Sequence, residues 1–170
     1  MSPIQITVIL NAANVVGALG GTFLLGFFGR KTLMLSSQLV CIVGLLGMFI
    51  FSPVVYESSS LQIALTVIFL FGFQTGPGPI VWLYISEICN DQATSVDTVV
   101  NWTWTLIISV TVLPLNNSLH NYTWLLFCLT NILGFFYVVI FMKETKGLSK
   151  EQAKSLYYKN ASEYSQVRAI

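Results

Sequence analysis

Long apolar stretches separated by short polar connectors dominate the chain. They are much longer than typical strands and show no alternation of apolar and polar positions, so they predict helices. Each stretch reaches about the 20 residues that a helix needs to cross a bilayer. The pattern predicts five membrane-spanning helices, at about residues 4–28, 32–55, 61–88, 96–115 and 122–142.

The connectors between these spans are short, which makes neighbouring helices antiparallel in an all-α bundle. Residues 1–142 are therefore predicted to form a transmembrane bundle, and residues 143–170 a polar tail. Within the tail, Ser149 and Gln152 fit a capping box, which predicts a short helix from Lys150 to about Tyr158. The charged residues at the start of the tail, Glu144 and Lys146, are expected to be solvated.

Composition agrees with a membrane protein and argues against several functions. Hydrophobic residues make up 55% of the chain and charged residues 9%, whereas soluble domains carry about 25% charged residues. A net charge of +1 gives no field that would recruit nucleic acid. The single histidine, His120, has no nucleophile pattern near it, and the three cysteines show no metal-binding spacing. We expect no enzyme activity, metal or cofactor.

The basic residues predict the orientation. Arg30 and Lys31 lie between the first two spans, and the other basic residues lie in the tail, from Lys143 to Arg168. Basic residues mark the cytoplasmic side of membrane proteins, so the carboxyl terminus is predicted inside and the amino terminus outside. An amino terminus that opens directly into an apolar helix leads us to expect further helices upstream.

Glycine and proline alternate inside the third span, as Gly76, Pro77, Gly78 and Pro79. A helix interrupted in this way is tolerated within a membrane where its backbone faces protein or a water-filled cavity, and transporters build substrate sites at such breaks. Trp82, one turn further on, offers a flat apolar face and one N–H donor, which suit a sugar ring. A merely kinked helix with a packed tryptophan is the alternative, and the residues alone leave both open.

Uncharged polar side chains inside the spans form a second group of candidates, because each is costly in lipid unless it is hydrogen-bonded. An amide both donates and accepts, so it fits a polyhydroxyl ligand better than an ion. For Gln38 and Asn131 we expect hydrogen bonds between helices, whereas for the others contact with a ligand stays equally open. The group comprises Asn14, Gln38, Gln74, Asn101, Thr105 and Asn131.

Several motifs, in matching order and spacing, resemble the sugar-porter branch of the major facilitator superfamily. Residues 76–82 resemble its GPGPIPW stretch, with Val81 in place of the second proline. The other matching segments are Gly29-Arg30-Lys31, Asn101-Trp102-Thr103 and Glu144-Thr145-Lys146-Gly147. In the family a proline precedes the last of these segments, and here Lys143 takes its place. The resemblance implies helices 8–12 of a twelve-helix fold, and therefore a missing amino-terminal half as partner.

The resemblance also implies roles for single residues. Its implied sugar contacts are Asn14, Gln74, Trp82, Asn101, Trp102 and Thr105. Arg30 and Glu87 match a charge cluster at the inner gate, while Gly76, Pro77, Gly78 and Pro79 form the kink. A second pair of that cluster is absent: Gly26 stands in place of its acid and Thr94 in place of its basic residue, and Phe27 replaces a further arginine next to Gly26.

The expected activity is facilitative or proton-coupled transport of a hexose through the lipid bilayer by alternating access, in the plasma membrane or in a vacuolar or vesicle membrane. A polyol, inositol or pentose porter would use the same cavity. A non-transporting sensor or regulatory fragment is an alternative from another class. A membrane enzyme would require buried histidines or acid pairs, which the sequence does not show.

Overall fold

The computed structural model describes residues 2–51 and 59–157, and these residues form helices with no strand among them. The helices are α1 (Pro3–Phe27), α2 (Arg30–Ile50), α3 (Ser59–Thr75), α4 (Pro77–Ile88), α5 (Asp91–Leu119), α6 (Tyr122–Phe141) and α7 (Lys150–Ser155). Among the described residues, five segments are long and apolar enough to cross a membrane, with α3 and α4 forming one interrupted span. The predicted all-α class with five spans is confirmed.

The largest error in the predicted boundaries concerns α5. Residues 96–115 were predicted, but the helix runs over Asp91–Leu119. The Asn90 side chain caps its start by accepting a hydrogen bond from the backbone N–H of Ala93 at 2.9 Å. At the other end, the helix continues past Pro114. Polar residues at both ends therefore extend this helix instead of forming connectors. The predicted end of the second span, at residue 55, lies outside the described residues.

Helix α3 lies between α1 and α2, and small residues allow the close approach. A Cβ added to Gly21 of α1 would come within 2.7 Å of the carbonyl oxygen of Thr75 in α3. A Cβ added to Gly72 of α3 would come within 3.0 Å of the Cys41 backbone nitrogen in α2. Small residues at helix contacts are typical of membrane bundles, where close backbone packing replaces the hydrophobic effect.

A hydrophobic cluster joins α2 and α4 to the end of α6, next to the tail. It contains Leu33, Met34, Ile80, Val138 and Met142, all buried. In contrast, no residue of α5 is buried, and side chains such as Trp102 are largely exposed. The structure therefore has a packed part, built from α1–α4 and α6, and a peripheral helix beside it.

The short helix of the tail begins as predicted. The Ser149 hydroxyl accepts from the Gln152 backbone N–H, and the Gln152 side chain accepts from the Ser149 backbone N–H, which confirms the capping box. The helix ends at Ser155, earlier than the predicted Tyr158, which lies outside the described residues.

Candidate functional site

The interrupted span breaks at Gly76. Helix α3 ends at Thr75, and Gly76 takes a non-helical conformation with φ −131° and ψ −83° before α4 begins at Pro77. Pro77 and Pro79 have no backbone N–H, so two helical hydrogen bonds are missing at this point. Regular bonding resumes where the Ile80 N–H donates to the Gly76 carbonyl at 2.9 Å. The two backbone carbonyls one turn before Pro77 and Pro79 therefore lack their usual helical donors.

A cavity of about 490 Å³ lies beside this break. Its walls come from four helices, α1, α3, α4 and α5. Most of the polar residues expected to contact a ligand line it, together with three residues of the kink. These residues are Gln74, Pro77, Gly78, Pro79, Trp82, Asn101 and Thr105.

The local geometry explains how the polar groups reach the cavity. A Cβ added to Gly78 would lie 3.0 Å from Gln74 Oε1, so the missing side chain leaves room for the Gln74 amide. On α5, the Thr105 hydroxyl donates to the Asn101 carbonyl at 2.9 Å, which leaves its oxygen able to accept. The Trp82 side chain is 39% exposed, so its ring is available to a ligand.

The cavity walls contain two amides, a hydroxyl and an indole, but no charged side chain. Amides and hydroxyls can both donate and accept hydrogen bonds, and an aromatic face binds apolar C–H groups. Such a lining suits an uncharged molecule with several hydroxyls and does not provide the charge that an ion requires.

Two of the expected sugar contacts are not brought to this cavity. Asn14 does not line it, although Ala18, one turn further along α1, does. Trp102 is 62% exposed on α5 and is also absent from the walls. Of the sugar contacts implied by the resemblance, Asn14 and Trp102 therefore do not join Trp82 at this cavity, and their roles stay predictions.

A charge cluster lies at the end of the bundle that faces the tail. Arg30 Nη2 lies 2.8 Å from Glu87 Oε1 in an ion pair with side chains 21% and 15% exposed, and Arg30 Nε donates to the same oxygen at 3.2 Å. The other oxygen of Glu87 accepts from the buried hydroxyl of Thr145 at 2.6 Å. The predicted contact between Arg30 and Glu87 is present, and the tail takes part in it.

Glu144 and Lys146 are both exposed, in line with the expectation that they are solvated, but their charged groups also bind the ends of helices. The Glu144 carboxylate accepts from the backbone N–H groups of Arg30, at 2.7 Å, and Lys31, at 3.1 Å. Lys146 Nζ donates to the Phe27 carbonyl, at 2.6 Å. The physical reason is that helix ends leave backbone donors and acceptors unpaired and carry partial charges, which attract side chains of the opposite sign. A side chain on Gly29 would overlap the Glu144 carboxylate, so this glycine keeps the position open.

Sequence reasoning also missed a role for Lys143. Its backbone N–H donates to the hydroxyls of Tyr84 and Tyr157, each at 3.0 Å. These two hydroxyls also bond to each other. The family motif has a proline at this position, which would have no N–H to donate. The replacement of that proline by Lys143 was therefore the signal in the sequence that could have indicated these hydrogen bonds.

The interhelical hydrogen bonds expected for Gln38 and Asn131 are not formed by their amide oxygens. Gln38 Oε1 and Asn131 Oδ1 are buried and have no hydrogen-bond partner in the described part of the chain. Opposite Gln38 lies Gly134 of α6, which has no side chain that could donate to its amide.

A bundle of five apolar spans, one of them broken beside an uncharged polar cavity, defines a multi-pass membrane protein of the transporter type. Residues 1–157 match the model of the family described as "Sugar (and other) transporter", so the chain belongs to this family, the sugar porters of the major facilitator superfamily.

Named relatives agree with this assignment. The chain is 32% identical to Facilitated glucose transporter protein 1 of Caenorhabditis elegans, in a match covering 92% of this chain and 33% of that protein. It is 34% identical to a Facilitated trehalose transporter Tret1-2 homolog of Drosophila sechellia, over 86% of this chain and 32% of that protein. The chain spans about a third of the length of these relatives.

Proposed function

We propose that this chain forms part of the substrate-binding site of a sugar transporter, and that the complete transporter moves a monosaccharide, of the hexose class, across the membrane by alternating access. The observation that carries this proposal is the cavity beside the broken helix, where Gln74, Trp82, Asn101 and Thr105 meet. The hydroxyls of the sugar bond to the amides and to the Thr105 oxygen, while an apolar face of its ring packs on the Trp82 indole.

The charge cluster completes the proposed mechanism. The contacts among Arg30, Glu87 and Thr145 join the start of α2 to the end of α4 and to the tail. An interaction that forms in one conformation shifts the population toward that conformation. In the proposed cycle these three residues act as a latch. The latch keeps the inner side of the transporter closed in the outward-facing state, and the tail lies in the cytoplasm. The other helices of the transporter, a partner amino-terminal half, provide the second wall of the cavity.

The named relatives point to two size classes of sugar. One relative is named for glucose, whereas others are named for trehalose, a disaccharide. A disaccharide is therefore the second candidate substrate. Competition by unlabelled trehalose against labelled glucose uptake distinguishes the two, because only a cavity that accepts the larger sugar is blocked by trehalose.

The proposal is tested with a chimaera in which residues 1–157 replace the matching segment of the glucose transporter of Caenorhabditis elegans. This chimaera should take up labelled glucose in cells that lack their own glucose transporters. Trp82→Ala should weaken apparent glucose affinity by roughly 1–3 kcal/mol, or about 5- to 150-fold, the scale of one lost buried contact.

Trp104→Ala is the matched control, because Trp104 is 60% exposed on α5 and does not line the cavity. It should leave glucose affinity unchanged at equal surface expression. Equal affinity of the Trp82→Ala variant and the unmodified chimaera would contradict the proposed site.

A further inference from the structure

A second cavity, of about 390 Å³, lies between α2, α4 and α6 below the tail. Its walls are mainly apolar, with Ile80, Val138 and Phe141 among them, and no charged side chain lines it. It shares only Val81 with the cavity beside the helix break. This space is therefore a separate site with a different chemical character.

The cavity extends inward from the end of the bundle that faces the tail. Tyr84 and Tyr157 line its outer end, and Gln38 lies at its inner end. Gln38 is eight residues from the start of α2, and Gly134 is seven residues from the end of α6. At 1.5 Å per residue, these positions lie about 10–12 Å from the helix ends. The lining therefore extends about 10–12 Å into the bundle from these helix ends, and the cavity is called the slot below.

The Gln38 amide is the polar group that this slot leaves without a partner. Its side chain is 7% exposed, and Oε1 accepts no hydrogen bond from the described residues. A buried acceptor without a donor costs about 1–3 kcal/mol. Gly134 opposite leaves space, because a Cβ there would lie 3.5 Å from Gln38 Nε2 with no other contact within 4 Å. The tyrosine hydroxyls at the outer end are already bonded to the Lys143 backbone.

We propose that this slot binds an uncharged lipophilic alcohol from the bilayer. Its hydroxyl donates to Gln38 Oε1, and its hydrocarbon body occupies the apolar slot, which extends about 10–12 Å from the helix ends. A hydroxyl suits an amide because both can donate and accept. The absence of charged side chains from the walls excludes a charged lipid head group, since an ion buried without a partner is strongly disfavoured.

The test uses the full chain in lipid nanodiscs and a photoreactive decan-1-ol with its diazirine on the carbon next to the hydroxyl-bearing carbon. Mass spectrometry should find the label on peptides from α2 and α6 that contain Gln38 or Gly134. Unlabelled decan-1-ol should suppress this labelling. The ether 1-methoxydecane cannot donate to Gln38 Oε1, so it should compete about tenfold more weakly, equivalent to about 1.4 kcal/mol.

Two variants and a control locate the site. Gln38→Leu removes the amide at similar volume, and Gly134→Leu fills the space beside it, so both should reduce the labelling at α2 and α6 about tenfold. Asn131→Leu is the matched control, since Asn131 also has a buried unpartnered oxygen but does not line the slot. It should label like the unmodified chain.

Equal competition by the ether and the alcohol would overturn the proposal, because the hydroxyl would then play no part. Labelling spread evenly over all lipid-facing helices would also overturn it, since the alcohol would merely partition into the bilayer. Circular dichroism of each variant checks its helix content. The ether comparison is made on the unmodified chain and stands whether or not a variant folds. Sugar transport enters none of these readouts, so the result is independent of the proposed function.

Discussion

At the scale of single residues, the charge cluster shows how a few side chains connect distant parts of the chain. The Arg30–Glu87 ion pair joins residues 57 positions apart, and Thr145 adds a hydrogen bond from the tail. Exposed ion pairs contribute about 0–1 kcal/mol, whereas breaking a buried pair costs about 3–5 kcal/mol because one charge is left alone. With exposed fractions of 21% and 15%, this pair is closer to the buried case, so its loss should be measurable.

A charge swap tests whether the pair acts as a latch. In the chimaera, Arg30→Glu or Glu87→Arg alone should shift the population toward inward-facing conformations, because in the proposed cycle the two charges meet only when the inner gate is closed. The readout is the rate at which a cysteine in the inner cavity reacts with a reagent added from the cytoplasmic side. The double swap should return that rate toward the unmodified value. A double variant no closer to the unmodified protein than either single variant would show that the side chains are not coupled.

At the scale of elements, the break between α3 and α4 depends on close packing against α2. A side chain on Gly76 would overlap the Ser37 hydroxyl, and that hydroxyl is fixed by donating to the Leu33 carbonyl at 2.7 Å. The glycine therefore allows α2 to pack directly against the turn that forms the cavity. Packing of this kind tolerates added volume poorly, because forcing a methyl group into it costs about 1–3 kcal/mol.

Gly76→Ala should accordingly destabilise the chain by about 1–3 kcal/mol, as measured by denaturant unfolding in detergent micelles. Ser37→Gly combined with Gly76→Ala removes the overlapping side chain and should recover part of the loss. Gly20→Ala is the control, because a Cβ there meets nothing within 4 Å. Similar losses for Gly20→Ala and Gly76→Ala would contradict the packing argument.

Sequence patterns predicted the elements well but the contacts only in part. Five spans, the capping box at Ser149 and the break near Gly76 all follow from local rules of length, capping and backbone chemistry. The Arg30–Glu87 contact followed from the family motif. The bonds of Glu144 and Lys146 to helix ends could not be read from local patterns, because they join segments more than a hundred residues apart. Asn14 was assigned to the sugar site by its position in the family motif. Whether its side chain lines the cavity depends instead on the rotation of α1 about its own axis.

At the scale of the whole molecule, the exposed faces of α1 and α5 are the main unexplained feature. Apolar side chains such as Leu19 in α1 and Leu106 in α5 are 67% and 65% exposed, and α5 has no buried residue. In the proposed transporter, these faces meet the lipid and the partner half. Alternating access requires two bundles that move about a central site, and the chain spans about a third of its relatives.

Residues 1–170 alone should therefore not transport sugar. Liposomes that contain only this chain should take up labelled glucose no faster than protein-free liposomes, since one bundle cannot alternate access by itself. The chimaera, reconstituted at equal protein density, is the positive control. Saturable glucose uptake by the chain alone would contradict the two-bundle account.

The most direct test of the sugar site is protection of a cysteine placed in the cavity. Thr105→Cys in the chimaera puts a thiol on the cavity wall, while Ser109→Cys puts one a turn further along α5, outside the walls. The chain's own cysteines give little background labelling. Cys41 and Cys128 are buried. Burial and the nearby Asp97 carboxylate raise the pKa of the Cys89 thiol, which keeps this thiol protonated at neutral pH. Glucose should slow maleimide labelling of Thr105→Cys in a saturable way and leave Ser109→Cys unchanged. If glucose leaves both rates unchanged while the chimaera still transports it, the sugar does not bind in this cavity.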